Sequence, residues 1–252
     1  MMTTTVATEI PPIARGEAGV LAAAENQRLL DLLRSLEPAD WRKPTDCPAW
    51  DVRAMAGHLL GAVEGFSGLR PLVRLMRAAG KAAGDGPFVD GMTAVQVQDR
   101  ASLTTEQLLD RFATAAPVQA AWRTRRSPMR RAPMKEEVGG KKETWRMSYL
   151  FDIILTRDAW MHRVDIARAT GHELVLTAEH DGRLVADVVA EWARRHGRPF
   201  TLHLEGPAGG TFTSGGAAPG TDEPITLDAV AFCRTLSGRA EGAGLLSQEV
   251  PF

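Results

Sequence analysis

Asp158 and His162 have the residue types and the spacing that could bind a metal ion. They are four positions apart in the run RDAWMHRVD, and on a helix that spacing places both side chains on one face, about 5–6 Å apart at Cβ. A carboxylate and an imidazole so placed can ligate one ion, and mixed nitrogen and oxygen ligands suit zinc or another first-row divalent metal. An ordinary i, i+4 pair on a helix has the same spacing, so the pair alone leaves both interpretations open.

His58 and Asp165 could complete such a site. His58 lies midway along the apolar segment AMAGHLLGAV, where an inward-facing imidazole is either a ligand or a core histidine bonded to a neighbour. Asp165 lies one turn beyond His162 and could accept the proton on the second ring nitrogen of a ligating imidazole. It could equally form a salt bridge in the neighbourhood of Arg163 or with Arg168 on the surface. The remaining histidines share no ligand spacing, and we interpret them as structural or solvated; they are His172, His180, His196 and His203.

Four amphipathic helices are predicted in the first two thirds of the chain, because apolar residues recur there at three- and four-residue steps. Their approximate bounds are Gly16–Leu36, Asp51–Phe66, Thr93–Trp122 and Ser148–Thr170. Asp51 is the expected cap of the second helix, and Gly171 is expected to end the fourth. The third is interrupted where Thr104 and Gln107 form a capping box. Four long helices of this kind are typical of a helix bundle.

The last third of the chain predicts a small mixed α and β unit. A helix from Ala178 to His196 is followed by the alternating segments PFTLHLEG and GTFTSG, which are typical of strands. The segment ITLDAVAFCRTLSGR predicts the end of a strand, an Asp228 cap and a helix closed by Gly238. The predicted fold class is therefore α+β, with a helical domain over residues 1–172 and a small α/β domain over residues 173–252.

Two segments lack a predicted element. The first ten or so residues are rich in threonine and end in Pro11 and Pro12, which indicates a frayed lead-in. The stretch from Trp122 to Arg146 carries nine Lys or Arg against three Asp or Glu, and its prolines and paired glycines predict a mobile, solvated loop. It lacks aromatic residues except near its ends, so a nucleic-acid surface is not expected. The loop could instead draw anionic ligands toward the bundle.

The composition argues against several classes of protein. The formal net charge of −1, from 30 basic and 31 acidic side chains, argues against a nucleic-acid or membrane-surface protein. The two cysteines argue against a disulfide framework and favour a reducing compartment; we interpret Cys47 as a packing residue rather than a nucleophile and expect Cys233 to be buried. No apolar run reaches the ~20 residues that span a membrane, and no secretory signal is visible. We therefore expect a cytoplasmic protein.

Two motifs of this sequence follow the pattern of a known family. The first is W-x2-P-T-x-C-P-A-W-D-V-R-x-M-x-G-H-L, from Trp41 to Leu59, and the second is D-x3-H-R-x-D, from Asp158 to Asp165. The stretch that follows Arg100 and the final L-S-G-R fit as well, so the match spans essentially the whole chain. The sequence thereby resembles the mycothiol-dependent maleylpyruvate isomerase family. That resemblance implies an N-terminal DinB-like four-helix bundle that binds a metal.

The resemblance also implies the ligands and the chemistry. In such proteins the histidine of the H-L step binds the metal together with the acid and the histidine of the later helix, which here are His58, Asp158 and His162. The acid of the characterised isomerase is a glutamate, so this chain has one methylene fewer at position 158. Mycothiol is the implied thiol cosubstrate. As a thiolate, which a divalent ion stabilises, it would add to a double bond of a small acidic or electrophilic substrate. The enzyme is an isomerase if the thiol leaves again and an S-transferase if it stays.

Cations must bind the acid groups of such a substrate. The smaller domain of the family contributes an arginine to the active-site cleft, and Arg234 and Arg239 in FCRTLSGR are the catalytic candidates. Arg239 could alternatively complement the dipole at a helix C-terminus.

The expected function is a metal- and mycothiol-dependent enzyme with zinc as the expected ion, no nucleic-acid or membrane partner, and an open oligomeric state. One alternative is a non-catalytic DinB-like metal-binding protein with a ligand-binding or stress-response role. The other is a helical interaction module in which the histidines and the aspartate are structural.

Overall fold

The computed structural model describes residues 4–215 and 223–252, and the chain divides into two compact units. The helical unit comprises Ala14–Arg130 and Ser148–Leu174. The mixed unit comprises the described parts of Met1–Ile13, Arg131–Met147 and Val175–Phe252. Each unit is thus assembled from separate stretches of the chain. The domain division expected between residues 172 and 173 stays a prediction.

The helical unit contains the helices that carry the candidate ligands. Its helices are α1 (Arg15–Ser35), α2 (Val52–Gly65), α3 (Leu69–Ala83), α4 (Phe88–Gln98), α5 (Thr105–Arg123) and α7 (Leu155–Thr170). The short α6 (Met147–Tyr149) and a π-helical turn (Leu150–Ile154) run into α7 without a break. Both α1 and α2 pack against α5 and α7. Their apolar faces form one core, which includes Leu29, Leu33, Leu59, Phe112 and Ile166.

Several helices begin or end at the capping residues that the sequence predicts. A carboxylate oxygen of Asp51 accepts the backbone N–H of Ala54 at 2.7 Å at the start of α2. Thr104 and Gln107 form the reciprocal hydrogen bonds of a capping box at the start of α5. Gly171 ends α7 with a φ of 78°, a left-handed conformation that side chains disfavour.

The sequence predicts one helix over Thr93–Trp122, interrupted near Thr104. The structure has α4 and α5 there, and the stretch between α2 and α5 differs from the prediction in two ways. It contains α3, for which the sequence made no prediction, and α4, which begins already at Phe88. Pro71 lies in the first turn of α3, where a missing N–H costs no hydrogen bond. The helix packs mainly on α4 and buries Leu72, Leu75 and Ala79.

The described part of the mixed unit contains a four-stranded sheet, a two-stranded hairpin and two α-helices of eight or more residues. Its strands are β1 (Thr4–Val6), β2 (Pro133–Val138), β3 (Lys141–Arg146), β4 (Phe200–Glu205), β5 (Gly210–Ser214) and β6 (Ile225–Asp228), and its helices are α8 (Arg183–His196) and α9 (Ala229–Leu236). Among the described residues, one sheet has the order β1-β5-β4-β6, and β2 and β3 form a separate hairpin. In the sheet β4 runs antiparallel to β5 and parallel to β6. The α+β class expected from the sequence is confirmed.

Two segments that were expected to lack structure form strands. Thr4–Val6 pairs in parallel with residues 211–213 of β5, so this part of the N-terminal stretch is a strand rather than a frayed lead-in. The expected mobile loop contains the β2–β3 hairpin, which turns at Gly139 and Gly140, with φ of 54° and 74°. Polar side chains on both faces of these strands hide the period-2 pattern, so pairing rather than local alternation decides that they are strands.

Candidate metal centre

The three residues predicted to bind a metal are brought together between α2 and α7. His58 lies midway along α2, and Asp158 and His162 lie one turn apart on α7. The Nε2 atoms of His58 and His162 each lie 3.4 Å from a different carboxylate oxygen of Asp158. One ligand atom of each residue lies within 4.8 Å of the others. A single cation placed among these atoms could therefore be reached by all three donors.

Each imidazole is held through its other ring nitrogen. His58 Nδ1 lies 2.9 Å from the side-chain oxygen of Gln96, and His162 Nδ1 lies 3.0 Å from a carboxylate oxygen of Asp165. Since both partners accept, the Nδ1 atoms donate to them, and the Nε2 atoms face Asp158, where each carries a lone pair when its imidazole is neutral. The predicted contact of Asp165 is confirmed. The sequence did not reveal Gln96, because nothing in its local pattern connects α4 to His58.

Small residues on α2 allow α4 to approach closely enough for this contact. A Cβ added at Gly61 would lie 2.5 Å from Cβ of Gln96 and 2.9 Å from its Cα, far inside van der Waals contact. Gly61 is one turn beyond His58, so the glycine and the histidine meet the same stretch of α4. The orientation of His58 therefore depends on a glycine as well as on its hydrogen-bond partner.

Trp50 and Cys47, from the loop before α2, also reach the site. The indole of Trp50 stacks on His58 with ring centroids 4.8 Å apart and planes at 29°, and it lies 5.8 Å from the ring of His162. The thiol of Cys47 lies near His162 and Asp165, with one candidate ligand atom of each residue within 4.8 Å of the others. Cys47 also packs on the core of the helical unit, as its interpretation from the sequence expected. Its proximity to His162 was not expected.

The charges of the site favour a cation. Burial opposes ionisation of Asp158, but the charges and hydrogen bonds of His162 and His58 outweigh it and hold the pKa of Asp158 well below its usual range. Burial also lowers the pKa of His162, yet the carboxylates of Asp158 and Asp165 prevail and raise it well above its usual value. A divalent ion would compete with the proton on His162, since only neutral imidazole ligates a metal.

The donor set fits a divalent metal with open coordination positions. Two imidazole nitrogens and a carboxylate are the ligands that catalytic zinc sites use, together with a position left for water or substrate. The side chains of His58 and His162 are 6% and 7% exposed, whereas that of Asp158 is 24% exposed. Solvent therefore reaches the site on the side of Asp158. The role of these three residues as metal ligands stays a prediction.

The two arginines predicted to bind substrate belong to the mixed unit. Arg234 is buried within α9. Arg239 follows α9 and is half-buried, and its backbone N–H donates to the carbonyl of Arg234 at 2.9 Å. Their proposed role toward a substrate stays a prediction. Cys233, on the same helix as Arg234, is fully buried as expected.

Two of the histidines interpreted as structural lie within hydrogen-bond distance of polar side chains. His172 lies 3.0 Å from Asp40 and 3.1 Å from the hydroxyl of Ser35. His203, on β4, lies 3.2 Å from the hydroxyl of Thr211 on the neighbouring strand. Within residues 4–215 and 223–252, no helix is long and apolar enough to cross a membrane.

Comparisons with known proteins agree on one family. Residues 22–167 match the model of the mycothiol maleylpyruvate isomerase N-terminal domain. A solved mycothiol-dependent maleylpyruvate isomerase covers 94% of this chain and 93% of its own, with a TM-score of 0.54 and 18% identity. A histidine-to-alanine variant of a mycothiol-dependent maleylpyruvate isomerase gives the same coverage and TM-score at 17% identity. At this identity the likeness shows a shared fold. No curated protein matches the sequence significantly.

Proposed function

We propose a function from the premise that this chain belongs to the mycothiol maleylpyruvate isomerase N-terminal domain family. The chain is a metal-dependent enzyme that uses a low-molecular-weight thiol, mycothiol, on a small acidic or electrophilic substrate. The observation that carries the proposal is the convergence of the Nε2 atoms of His58 and His162 on the two carboxylate oxygens of Asp158.

His58, Asp158 and His162 hold the ion, for which zinc is the best match to the donors. The shorter acid at position 158 is compatible with this role, because one of its oxygens lies 3.4 Å from Nε2 of His58 and the other lies 3.4 Å from Nε2 of His162. When bound, the ion supplies a positive charge that favours the thiolate form of an incoming thiol. Gln96 and Asp165 keep the imidazoles in the ligating tautomer, and Trp50 covers one ring face of His58.

The proposed reaction begins when the thiolate sulfur forms a bond to one carbon of an activated cis double bond. The π electrons of that bond move onto the adjacent acyl group of the substrate. Rotation about the resulting single bond, return of the electrons and expulsion of the thiolate give the trans isomer, and no thiol is consumed. If the adduct takes up a proton on carbon instead, the thiol stays attached and the protein is an S-transferase. Arg234 or Arg239 is the proposed partner of the substrate acid groups.

Elemental analysis of the purified protein, combined with an assay for thiol-dependent turnover, tests this function. We expect one zinc ion per chain, lost in His58→Ala and in His162→Ala, and a turnover rate that requires mycothiol. His203→Ala is the matched control, since His203 contacts Thr211 in the mixed unit, and we expect it to keep the metal. Full metal occupancy in the double variant of His58 and His162 would refute the site.

The same experiment distinguishes the proposed enzyme from a non-catalytic metal-binding protein. In that case the metal raises the melting temperature and depends on the same two histidines, but no thiol conjugate and no isomer form with electrophilic substrates. The partial exposure of Asp158 favours the enzyme, because a purely structural zinc site is closed by four protein ligands.

A further inference from the structure

A cavity of about 710 Å³ lies within the helical unit and contains none of the three candidate metal ligands in its lining. Its walls come from α2, α3, α5 and the end of α4 with the turn that follows it. The volume lies in the range of small-molecule sites, about 300–1,000 Å³. Four arginines line it, namely Arg70, Arg74, Arg100 and Arg111.

Two of these arginines neutralise the carboxylate at the floor of the cavity. Arg100 is buried and binds Glu64 at 2.6 Å through Nη2 and at 3.1 Å through Nε. Arg111 binds the same carboxylate at 2.7 Å and 2.8 Å. Because one carboxylate serves two guanidinium groups, this cluster keeps a positive charge. Glu64 therefore does not offset the other two arginines of the lining.

Arg70 and Arg74 are the remaining two arginines of the lining, four residues apart on α3. Within the part of the chain that the structure describes, neither side chain makes a hydrogen bond or an ion pair. The sequence of α3 contains no acidic residue, and like charges at this spacing repel each other on a helix. With Asp99 as the second carboxylate of the lining, the four arginines leave a net charge of +2. An anion between the walls would relieve this repulsion.

Apolar residues also line the cavity and indicate an organic ligand. Pro71, Leu75 and Val95 line the cavity beside the arginines, and they offer surface to a short carbon skeleton rather than to a bare inorganic ion. Guanidinium groups bind carboxylates and phosphates in the same two-pronged geometry. We propose that this cavity binds a small organic dianion, either a dicarboxylate or a phosphate monoester, at a site separate from the candidate metal centre. The proposal goes beyond the proposed function and does not depend on it.

Calorimetric titration of the full chain with succinate and with glycerol 3-phosphate tests the site and distinguishes the two kinds of dianion. We expect at least one of them to bind, and succinamide, which has no charge, not to bind. Arg70→Ala and Arg74→Ala should each weaken binding about tenfold, the effect of losing one charged hydrogen bond. Arg77→Ala is the matched control, because Arg77 is an exposed arginine of α3 that does not line this cavity, and binding should be unchanged.

Three outcomes would overturn the proposal. The first is that neither dianion binds the wild-type chain. In the second, Arg77→Ala weakens binding as much as Arg74→Ala, which would indicate general attraction to a basic helix. The third is loss of binding in His162→Ala together with full binding in the Arg70 and Arg74 variants, which would place the dianion at the metal centre. Binding that persists in His162→Ala and depends on Arg74 supports the proposal even if the protein holds no metal.

Discussion

Each candidate histidine ligand of the helical unit uses one ring nitrogen for a protein acceptor and leaves the other for the site. The acceptors differ in charge, since Gln96 is neutral and Asp165 is a carboxylate. Burial lowers the pKa of His162, but the charge of Asp158 and the hydrogen bonds to Asp158 and Asp165 raise it well above its usual value. At the scale of single residues, the outer partners decide which tautomer faces Asp158.

Replacing Gln96 by leucine should weaken metal binding without unfolding the protein. The substitution leaves Nδ1 of buried His58 without an acceptor, so the ligating tautomer is no longer favoured. We expect zinc affinity to fall about 10-fold or more, measured by competition with a chromophoric chelator. Gln119→Leu is the control, because Gln119 is equally buried but accepts from Asn26, at 3.4 Å. Equal zinc affinities in the two variants would contradict a role of Gln96 in orienting His58.

Asp40 should make stability depend on pH in acid. Hydrogen bonds from Lys43 and from the backbone N–H of Glu37, with a further one from His172, lower its pKa from 3.8 to about 2. Because the folded-state pKa is the lower one, the stabilisation is complete above about pH 4 and is lost as the pH falls through about 2. In Asp40→Asn this part of the pH dependence should disappear, as urea unfolding between pH 2 and 5 would show. If the free energy of unfolding of Asp40→Asn depends on pH in this range as strongly as that of the wild type, Asp40 is not the group responsible.

At the scale of elements, glycines on the faces of α2 set how closely its neighbours pack. Gly61 meets Gln96 of α4, and a Cβ added at Gly65 would lie 2.4 Å from Cδ2 of Leu75 on α3. The side of α2 that carries these two glycines thus accepts two helices at short distance. One of them supplies the acceptor for His58, and the other supplies two arginines of the cavity wall.

Gly61→Ala should destabilise the helical unit although alanine favours helices. The gain in helix propensity is about 0.5–1 kcal/mol, and the cost of forcing a methyl group into a packed interface is about 1–3 kcal/mol. Chemical denaturation should therefore show a net loss of stability. Gly80→Ala on α3 has open space around its Cβ position, and we expect it to gain stability. A stability gain in both variants would mean that α4 moves away from α2 at little cost.

At the scale of the whole molecule, two compact units are interleaved along one chain. The mixed unit takes its edge strand β1 from the beginning of the chain and the β2–β3 hairpin from a segment inserted between α5 and α7. Within that unit, Arg195 of α8 binds Glu143 of β3 at 2.6 Å. The chain segments of one unit should therefore gain or lose protection against amide hydrogen exchange together, whatever their order in the sequence.

Hydrogen exchange of two core variants tests this organisation. Phe212→Ala removes a buried ring from β5, and Phe112→Ala removes one from α5; each should cost about 3–5 kcal/mol. We expect the first variant to raise exchange in β1, in β4 and in the β2–β3 hairpin, and the second to raise it in α1, α2 and α7. If the hairpin follows the Phe112 variant instead, it belongs with the helical unit.

Local patterns in the sequence were sufficient for much of the fold. Caps such as Asp51, the capping box at Thr104 and the terminal Gly171 act within a few residues, so they could be predicted from neighbours alone. The paired strands β1, β2 and β3 could not, because a strand with polar residues on both faces is stabilised by partners elsewhere in the chain. Helix α3 was missed as well, although its buried residues follow a helical spacing.

The sequence by itself determined that Asp158, His162 and Asp165 share one face of a helix, because spacing on a helix is a local property. It also predicted the family, through the motif from Trp41 to Leu59 that contains His58. Only the tertiary structure decided that His58 meets Asp158 and His162, that Gln96 and Trp50 hold its ring, and that the arginines of α3 line the same cavity as the Glu64 cluster. The contacts of His58 with Gln96 and with Asp158 join residues 38 and 100 positions apart. Packing between helices, rather than the local sequence, sets such distances.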